Sequence, residues 1–450
     1  MTALLHPNAR VIDAATGDVV RDLVRPALFD GVPPGVVFLR MPTGVESVVR
    51  YVTAFETGRP VALLDPGLSD ETLLEFVDRF EPAAVLGPLG DEVPKRYQLV
   101  GGAWVREAPS ETAPHPDLAV LLATSGSTGD PKLVRLSRRA VLANADSIIE
   151  ALGITGAEVA ISALPFYYSY GMSVLNTHLA AGATLVVEAE GLLGRGFWPA
   201  IDEFGVTSLA LVPSQYEMLV RLRFNPGRHP ALRTLTQAGG RLRPELVRDF
   251  HERMASVDGR LFVMYGQTEA APRLTTLPAG RLGEKLGSVG PAVPGGRLSI
   301  RLADGTETTA PDVSGEVLYR GPNVMLGYAE TAADLAHGDV AGGLLVTGDL
   351  GHLDSDGFLF LEGRLKRFGK VFGVRLNLDD VERMLPVPAA AVAFDDGILV
   401  FVLEGEPFVL RRSLADRLKL HWTGFDVRSV DAFPLLSNGK VDYRALEAMR

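Results

Sequence analysis

Residues 121–134 read LLATSGSTGDPKLV, in which an apolar, strand-like run ends abruptly in a loop of glycines and hydroxyl side chains followed by Lys132. Small side chains let backbone N–H groups close around an anion, and hydroxyls and a lysine add further donors. The stretch therefore predicts a phosphate-binding loop after a buried strand. It is not the loop of the common NTPases, because Pro131 stands where that motif requires its second glycine, counted from Gly126.

The same change from apolar strand to amphipathic helix recurs on both sides of this loop. Residues 35–41 predict a buried strand, 45–58 a helix that ends at Gly58, and the helix after residue 69 has Ser69 or Asp70 as its cap. A further helix is predicted after Ser137. Short apolar strands that alternate with helices are typical of an α/β fold, with parallel sheets covered by helices.

The pattern changes after about residue 285, where Gly-punctuated, β-rich segments predict a smaller β-subdomain extending to residue 363. A basic, glycine-spaced link leads from there into a last α+β piece. We therefore expect three parts: an N-terminal core over residues 1–363, a hinge over 364–370 and a small mobile domain over 371–450.

Composition narrows the class of protein. The 450 residues carry a formal charge of −11, with 47% hydrophobic and 22% charged residues, and no block of basic residues suggests nucleic-acid binding. The chain has no cysteine, which excludes disulfides, thiolate metal sites and a cysteine nucleophile. No signal peptide is recognisable and no apolar run reaches the length of a membrane span, so we expect a cytoplasmic enzyme without a membrane span.

Five elements, in order along the chain, resemble the signature motifs of the adenylate-forming superfamily. This superfamily comprises acyl-CoA synthetases, beetle luciferases and the adenylation domains of nonribosomal peptide synthetases. The matching stretches are TSGSTGDPK at 124–132, YGQTE at 265–269, TGD at 347–349, Gly363-Arg364 with Lys370 and Gly373, and SNGK at 437–440. The pattern is most similar to that of AMP-forming acyl-CoA ligases or acyl-acid ligases.

The resemblance implies a site for ATP and Mg²⁺. It assigns ATP binding to Thr124, Ser125, Gly126, Ser127, Thr128, Gly129, Lys132, Ala238, Gly239, Gly240, Tyr265, Gly266, Gln267, Thr268, Asp349, Arg364 and Lys440. Glu269, a hard oxygen ligand, is implied as the magnesium ligand. Lys440 is implied to stabilise charge at the α-phosphate, and Thr268, Glu269, Lys366 and Lys370 complete the catalytic set. Gly373 is implied to line the channel for a pantetheine arm.

The segment ALPFYYSYG at 163–171 aligns with the aromatic and histidine motif that precedes the substrate helix in similar enzymes. Tyr168 stands where relatives often have histidine, and no aspartate between Ala163 and Val187 is available to hold the ammonium of an α-amino acid. The implied acid pocket comprises Tyr167, Tyr168, Tyr170, Gly171, Val212, Ser214, Gln215, Met218, Met264 and Ala270. Any one of the tyrosines could equally be packing the core.

The sequence thus predicts an AMP-forming acid–thiol ligase whose acceptor is coenzyme A or the phosphopantetheine of a carrier protein. Adenylation of a different small acid such as nitrite, or transfer to an amine, remains open. A catalytically inactive nucleotide-binding scaffold is the alternative from another class of protein. Retention of Lys132, Glu269, Asp349, Arg364 and Lys440 favours an enzyme.

Overall fold

The computed structural model describes residues 3–123, 132–365, 367–395 and 397–450. The chain forms two compact units: Met1–Arg297 with Tyr319–Leu345, and Leu298–Leu318 with Val346–Arg450. The β-rich segment after residue 297 is thus divided between the two units. The hinge proposed at residues 364–370 stays a prediction.

The α-helices of the described residues agree with the amphipathic segments of the sequence. They are α1 Val45–Glu56, α2 Asp70–Phe80, α3 Arg138–Leu152, α4 Ser169–Ala180, α5 Phe197–Glu203, α6 Pro213–Arg221, α7 Pro244–Ala255, α8 Leu378–Arg383, α9 Pro407–Leu418 and α10 Tyr443–Ala448. The predicted cap at Ser69 is confirmed, because its hydroxyl accepts from the Thr72 amide at 3.2 Å; the hydroxyl of Ser137 caps α3 in the same way, accepting from the Ala140 amide at 3.0 Å. None of these helices is both long enough and apolar enough to cross a membrane.

The strands of the first unit lie between and around these helices. They are β1 Arg10–Asp13, β2 Val19–Val20, β3 Val37–Arg40, β4 Val61–Leu64, β5 Ala84–Leu86, β6 Tyr97–Val100, β7 Ala103–Arg106, β8 Leu118–Ala123, β9 Leu133–Ser137, β10 Val159–Ile161, β11 Thr184–Val187, β12 Ser208–Leu211, β13 Thr234–Gln237, β14 Arg260–Gly266 and β15 Arg273–Leu277.

The later strands are β16 Arg297–Arg301, β17 Glu307–Thr308, β18 Gly315–Arg320, β19 Gly327–Ala329, β20 Leu344–Leu353, β21 Leu359–Arg364, β22 Phe368–Val371, β23 Val374–Asn377, β24 Ala389–Phe394, β25 Gly397–Val402 and β26 Phe425–Ser429.

Two eight-stranded sheets build the first unit. One has the order β15-β14-β13-β12-β10-β11-β1-β2 and the other β19-β9-β8-β4-β3-β5-β7-β6. Their central strands are parallel, as the alternation of strand and helix predicts, and bury apolar residues on both faces. The strands β2, β9 and β15 run antiparallel to the strand that precedes each of them, and β7 runs antiparallel to both β5 and β6.

The second unit contains the five-stranded sheet β17-β16-β18-β20-β21, the hairpin β22-β23 and the three-stranded sheet β24-β25-β26. Its C-terminal part has a core of its own, with Val371, Ile398, Val400, Leu414 and Phe425 all fully buried. This agrees with the predicted small α+β piece.

Candidate functional site

Three neighbouring strands of the first unit are parallel and in register; β12 and β13 end level with one another, and β14 continues beyond them to Gly266. Leu211 on β12 pairs with Gln237 on β13, and Gln237 pairs with Val263 on β14. Ligands of open α/β sheets bind just beyond such carboxyl ends. The residues that follow these three paired positions are those predicted from the sequence to surround the nucleotide and the acid: Val212, Ala238, Gly239, Gly240, Met264, Tyr265 and Gly266.

Gly239 lies at the centre of this edge in a conformation that favours glycine, with φ of +85°. A Cβ at this position would lie 2.5 Å from the hydroxyl oxygen of Tyr168 and 3.0 Å from Cγ1 of Val212. Both contacts are too short for a methyl group. The bare backbone of Gly239 therefore forms a wall against which Tyr168 and Val212 pack directly.

Glutamine side chains fix the loops around this wall. The Gln237 amide donates to the Gly240 carbonyl at 2.7 Å. Gln215 accepts from the Val212 amide at 3.0 Å and donates to the Ala163 carbonyl at 2.8 Å. Gln215, predicted as a pocket residue, thus has both ends of its amide bound to backbone and joins helix α6 to the loop before α4.

The segment after β14 carries the predicted YGQTE residues. Gln267 donates to the Tyr265 hydroxyl at 3.2 Å, and Thr268 donates to the Ser169 hydroxyl at 3.2 Å. The second contact ties this segment to the first residue of α4. A Cβ on Gly266 would lie 2.1 Å from the Pro272 carbonyl oxygen, so only glycine fits this turn.

Glu269, the predicted magnesium ligand, lies in the 3₁₀ turn Thr268–Ala270. Its Oε1 accepts a 2.8 Å hydrogen bond from the hydroxyl of Tyr328 on β19. Burial, and then the Glu269 charge, hold the pKa of Tyr328 above its usual value, so the phenol remains a donor. Its hydrogen bond therefore orients the Glu269 carboxylate.

The phosphate-loop residues Thr124 to Gly129 lie outside the described residues, whereas Lys132 is within them. Lys132 forms an ion pair with Glu330, half-exposed on both sides. β9 pairs with β19, and Val134 lies opposite Tyr328. This pairing brings Lys132 and Glu330 together. Lys132 and Glu269 thus both contact the short stretch Tyr328–Glu330.

The tyrosines before and within α4 differ in their surroundings. Tyr168 and Tyr170 are buried with their rings edge-to-face, and the Tyr170 hydroxyl shares a 2.7 Å hydrogen bond with Thr236. Burial raises the pKa of Tyr170 to about 12, against the opposing charge of Arg273. Tyr167 is half-buried. Tyr168 and Tyr170 belong to a buried apolar cluster that also contains Val212 and Met264, two further predicted pocket residues.

The other predicted pocket residues lie close by in the chain. A Cβ on Gly171 would lie 2.1 Å from the Pro165 carbonyl oxygen, so this glycine lets α4 begin against the preceding loop. Ser214 and Met218 are partly buried on α6, and Ala270 is fully buried in the turn after Glu269.

In the second unit, Asp349 on β20 lies opposite Arg364 on β21. Nε of Arg364 is 3.2 Å from Oδ1 of Asp349, which is 6% exposed. The Asp349 amide donates to the Thr347 hydroxyl, which in turn donates to the Val317 carbonyl. An anchored carboxylate beside an exposed guanidinium is well suited to accept hydrogen bonds from a vicinal diol.

Lys440 lies in a tight turn of the same unit. Leu436 and Lys440 pair through a 2.8 Å backbone hydrogen bond, and Asn438 accepts from the Lys440 amide at 3.1 Å. Lys370 is exposed on β22, and Gly373 lies in the two-residue turn between β22 and β23 with φ of +80°. Lys366 lies outside the described residues.

Sequence reasoning missed three residues. Tyr328 and Glu330 follow no motif that separates them from ordinary strand residues, and only strand pairing reveals their partners. Arg273, buried beside Tyr170, gave one usable signal: a charged residue inside the strand-like stretch that follows YGQTE.

The sequence matches the family model described as AMP-binding enzyme over residues 27–329. The chain belongs to this family. The AMP-binding match covers most of the first unit, from β3 to β19.

Two relatives agree with membership of the AMP-binding family. An indoleacetate–CoA ligase of Aromatoleum aromaticum is 30% identical over 360 residues, which cover 78% of this chain and 64% of the relative. An oxalate–CoA ligase of Arabidopsis thaliana is 30% identical over 400 residues, covering 81% and 76% respectively. The chain thus spans less than two thirds of the first relative.

The fold is that of the adenylate-forming enzymes. The o-succinylbenzoate coenzyme A synthetase of Bacillus subtilis in complex with AMP superposes with a TM-score of 0.77 at 21% identity, over 98% of this chain and 94% of that one. At this identity the likeness concerns the fold alone.

Proposed function

We propose that this protein is an ATP-dependent ligase that adenylates a carboxylic acid and then transfers the acyl group to the thiol of coenzyme A. The observation that carries the proposal is the parallel register of β12, β13 and β14, which groups the bare Gly239 backbone with Tyr265 and the oriented Glu269. The names of the relatives as CoA ligases support the same activity.

The nucleotide would be bound through chemistry that these residues offer. Adenine lies against the Gly239–Gly240 backbone and the ring of Tyr265, both flat surfaces. Asp349, assisted by Arg364, accepts hydrogen bonds from the ribose hydroxyls. Lys132 exchanges Glu330 for phosphate oxygens, as expected for a lysine that is only partly desolvated in its ion pair.

The donor set fits magnesium bound together with ATP. Within the described ranges no three acidic or histidine side chains could hold a metal by themselves, and Mg²⁺ commonly uses one protein carboxylate plus substrate phosphates. Glu269 supplies such a carboxylate, and the Tyr328 hydroxyl leaves one of its oxygens available. When bound, the ion would neutralise phosphate charge. Glu269 holds its carboxylate in one orientation toward that position.

The chemistry balances in two steps. A carboxylate oxygen of the acid attacks the α-phosphorus of ATP, and the bond to pyrophosphate breaks, giving an acyl-adenylate. A thiolate then attacks the acyl carbon, and AMP leaves with the electron pair of the broken C–O bond. Lys440 stabilises negative charge in the first step. In the second step the pantetheine arm lies close to the backbone of the turn at Gly373.

Exchange of labelled pyrophosphate into ATP, measured across a panel of carboxylic acids, tests the first step. Acid-dependent exchange is expected, and its absence with every acid, together with no ATP binding in calorimetry, would contradict the proposal. Coenzyme A, a phosphopantetheinylated carrier protein and a simple amine are then compared as acceptors of the accumulated adenylate. Thioester formation with coenzyme A is the expected outcome.

A further inference from the structure

The strongest unexplained feature of the first unit is the side chain of Arg273. It is 2% exposed, and its Nε has no hydrogen-bond partner. Within the part of the chain that the structure describes, no carboxylate pairs with the guanidinium, whose neighbours are the rings of Tyr170 and Tyr168. The guanidinium carbon lies 4.9 Å from the centre of the Tyr170 ring.

The backbone of Arg273 is held firmly in place. Its amide donates to Asn144 Oδ1 at 3.1 Å, and its carbonyl accepts from Asn144 at 3.0 Å and from Asn323 at 2.9 Å. Burial lowers the pKa of the guanidinium, yet arginine does not lose its proton in proteins. A buried cation without an anionic partner destabilises a fold strongly, and an aromatic ring compensates for only part of that effect. The folded protein thus holds an uncompensated positive charge at a fixed place.

This charge borders a small cavity of about 40 Å³ between α3, α4 and the sheet. Tyr170, Thr236 and Met264 line it near the strand ends, and Ser173 and Thr177, whose hydroxyls donate to backbone carbonyls of α4, line it further along the helix. The cavity has one acidic lining residue, Glu158, whose Oε2 accepts from Thr207 at 2.5 Å and whose charge acts on His178 rather than on Arg273. The environment next to Arg273 therefore favours an anion.

We propose that Arg273 recognises a second carboxylate on the acid, so that the protein selects a short dicarboxylic acid; this rests on the ligase activity proposed above. Arg273 pairs with Gly266 at the end of β14, so both ends of the acid are bound near one sheet edge. The planar fork of the guanidinium matches a carboxylate, and the small cavity suits a compact anionic group. Arg273 thereby determines specificity, while the reacting carboxylate is bound elsewhere.

Matched acids test this assignment. Malonate, succinate and glutarate are compared with their monomethyl esters in pyrophosphate exchange. For the best diacid we expect kcat/KM at least about 100-fold above that of its half-ester, because an unpaired buried charge rejects the neutral analogue. Arg273→Met should remove this preference by lowering kcat/KM for the diacid, while kcat/KM for the half-ester stays unchanged or rises. Equal use of both acids by the unaltered protein, or an equal loss with both in the variant, would overturn the assignment.

Thermal unfolding separates recognition from a structural role. Without ligand, Arg273→Met should melt at the same or a higher temperature, because the substitution removes an uncompensated charge. A lower melting temperature with unchanged acid preference would show a structural residue instead. Arg260→Met is the matched control: Arg260 lines the same cavity but is exposed and bonded to Thr234, so the preference for diacids should survive.

The same measurement keeps the two proposals distinguishable. The best diacid alone should raise the melting temperature of the unaltered protein and leave that of Arg273→Met unchanged. If no acid supports pyrophosphate exchange but this shift is observed, the ligase proposal fails and the carboxylate site stands. If exchange occurs with monocarboxylic acids and no diacid shifts the melting temperature, the ligase stands and the carboxylate site is wrong.

Discussion

The hydroxyl of Tyr328 donates a 2.8 Å hydrogen bond to Oε1 of Glu269, and this contact joins β19 to the turn after β14. Tyr328→Phe removes the donor and keeps the ring. A hydrogen bond to a charged group contributes about 1.5–3 kcal/mol, so we expect kcat/KM for Mg-ATP to fall roughly 10- to 100-fold. Magnesium titration of the exchange reaction should show a weaker apparent affinity for the metal.

Tyr97→Phe is the control for this change, because its hydroxyl bonds the Pro82 carbonyl, away from the turn that carries Glu269. It should leave the magnesium dependence unaltered. An unchanged magnesium titration in Tyr328→Phe would show that the contact does not orient a metal ligand.

Asp349→Asn keeps the size of the side chain and removes the charge that pairs with Arg364. We expect KM for ATP to rise about tenfold or more, because charge-assisted hydrogen bonds to the ribose are roughly twice as strong as neutral ones. KM for the acid should stay the same. Asp356→Asn, which changes an exposed aspartate in a turn, is the control in steady-state kinetics. An equal KM for ATP in the two variants would contradict the assignment.

Lys440→Ala should reduce pyrophosphate exchange by about 100- to 1000-fold, the loss typical of one preorganised electrostatic partner. Lys95→Ala, which removes an exposed lysine, is the matched control and should retain full pyrophosphate exchange. Thioester formation from a chemically prepared acyl-adenylate should be nearly normal in Lys440→Ala. Undiminished exchange in that variant would remove Lys440 from the adenylation step.

Gly373→Trp should block thioester formation and spare adenylation, because the indole would fill the open space beside this turn, where a Cβ would meet nothing within 4 Å. The turn requires φ of +80°, so any side chain adds about 1–2 kcal/mol of strain. Gly373→Ala shares the strain without the bulk, and Gly357→Trp places the same indole at another turn with φ of +79°. Equal loss of both half-reactions in Gly373→Trp would argue against a pantetheine path here.

His178 predicts a specific pH dependence of stability. Burial lowers its pKa in the folded protein, and its Nδ1 bonds the Val174 carbonyl at 2.8 Å. Its contribution is therefore complete above the unfolded pKa of about 6.5 and is lost as pH falls below it, by at most about 1.4 kcal/mol per pH unit. His178→Asn, which can keep the bond to Val174, should flatten the decline in melting temperature between pH 7 and 5. Exposed His337→Asn should not.

Local sequence predicted the elements and the motifs because both depend on short-range chemistry. The caps at Ser69 and Ser137, the helix over 45–56 and the parallel strands of the first unit all follow from spacing and side-chain type. Gly239 adopts a positive φ, which is a local requirement, and Gly266 is required by the nearby Pro272 carbonyl.

What surrounds each functional side chain depended on tertiary structure. Glu269 meets Tyr328 across 59 positions, and Gln215 reaches the Ala163 carbonyl across 52. Such contacts arise from strand pairing and helix packing, which no local pattern encodes. Residue order and spacing were enough to predict an α/β protein and the motifs of its family in their order along the chain. That Arg273 lies buried and uncompensated beside Tyr170 emerged from the folded chain, because the cost of burying a charge depends on every group brought around it.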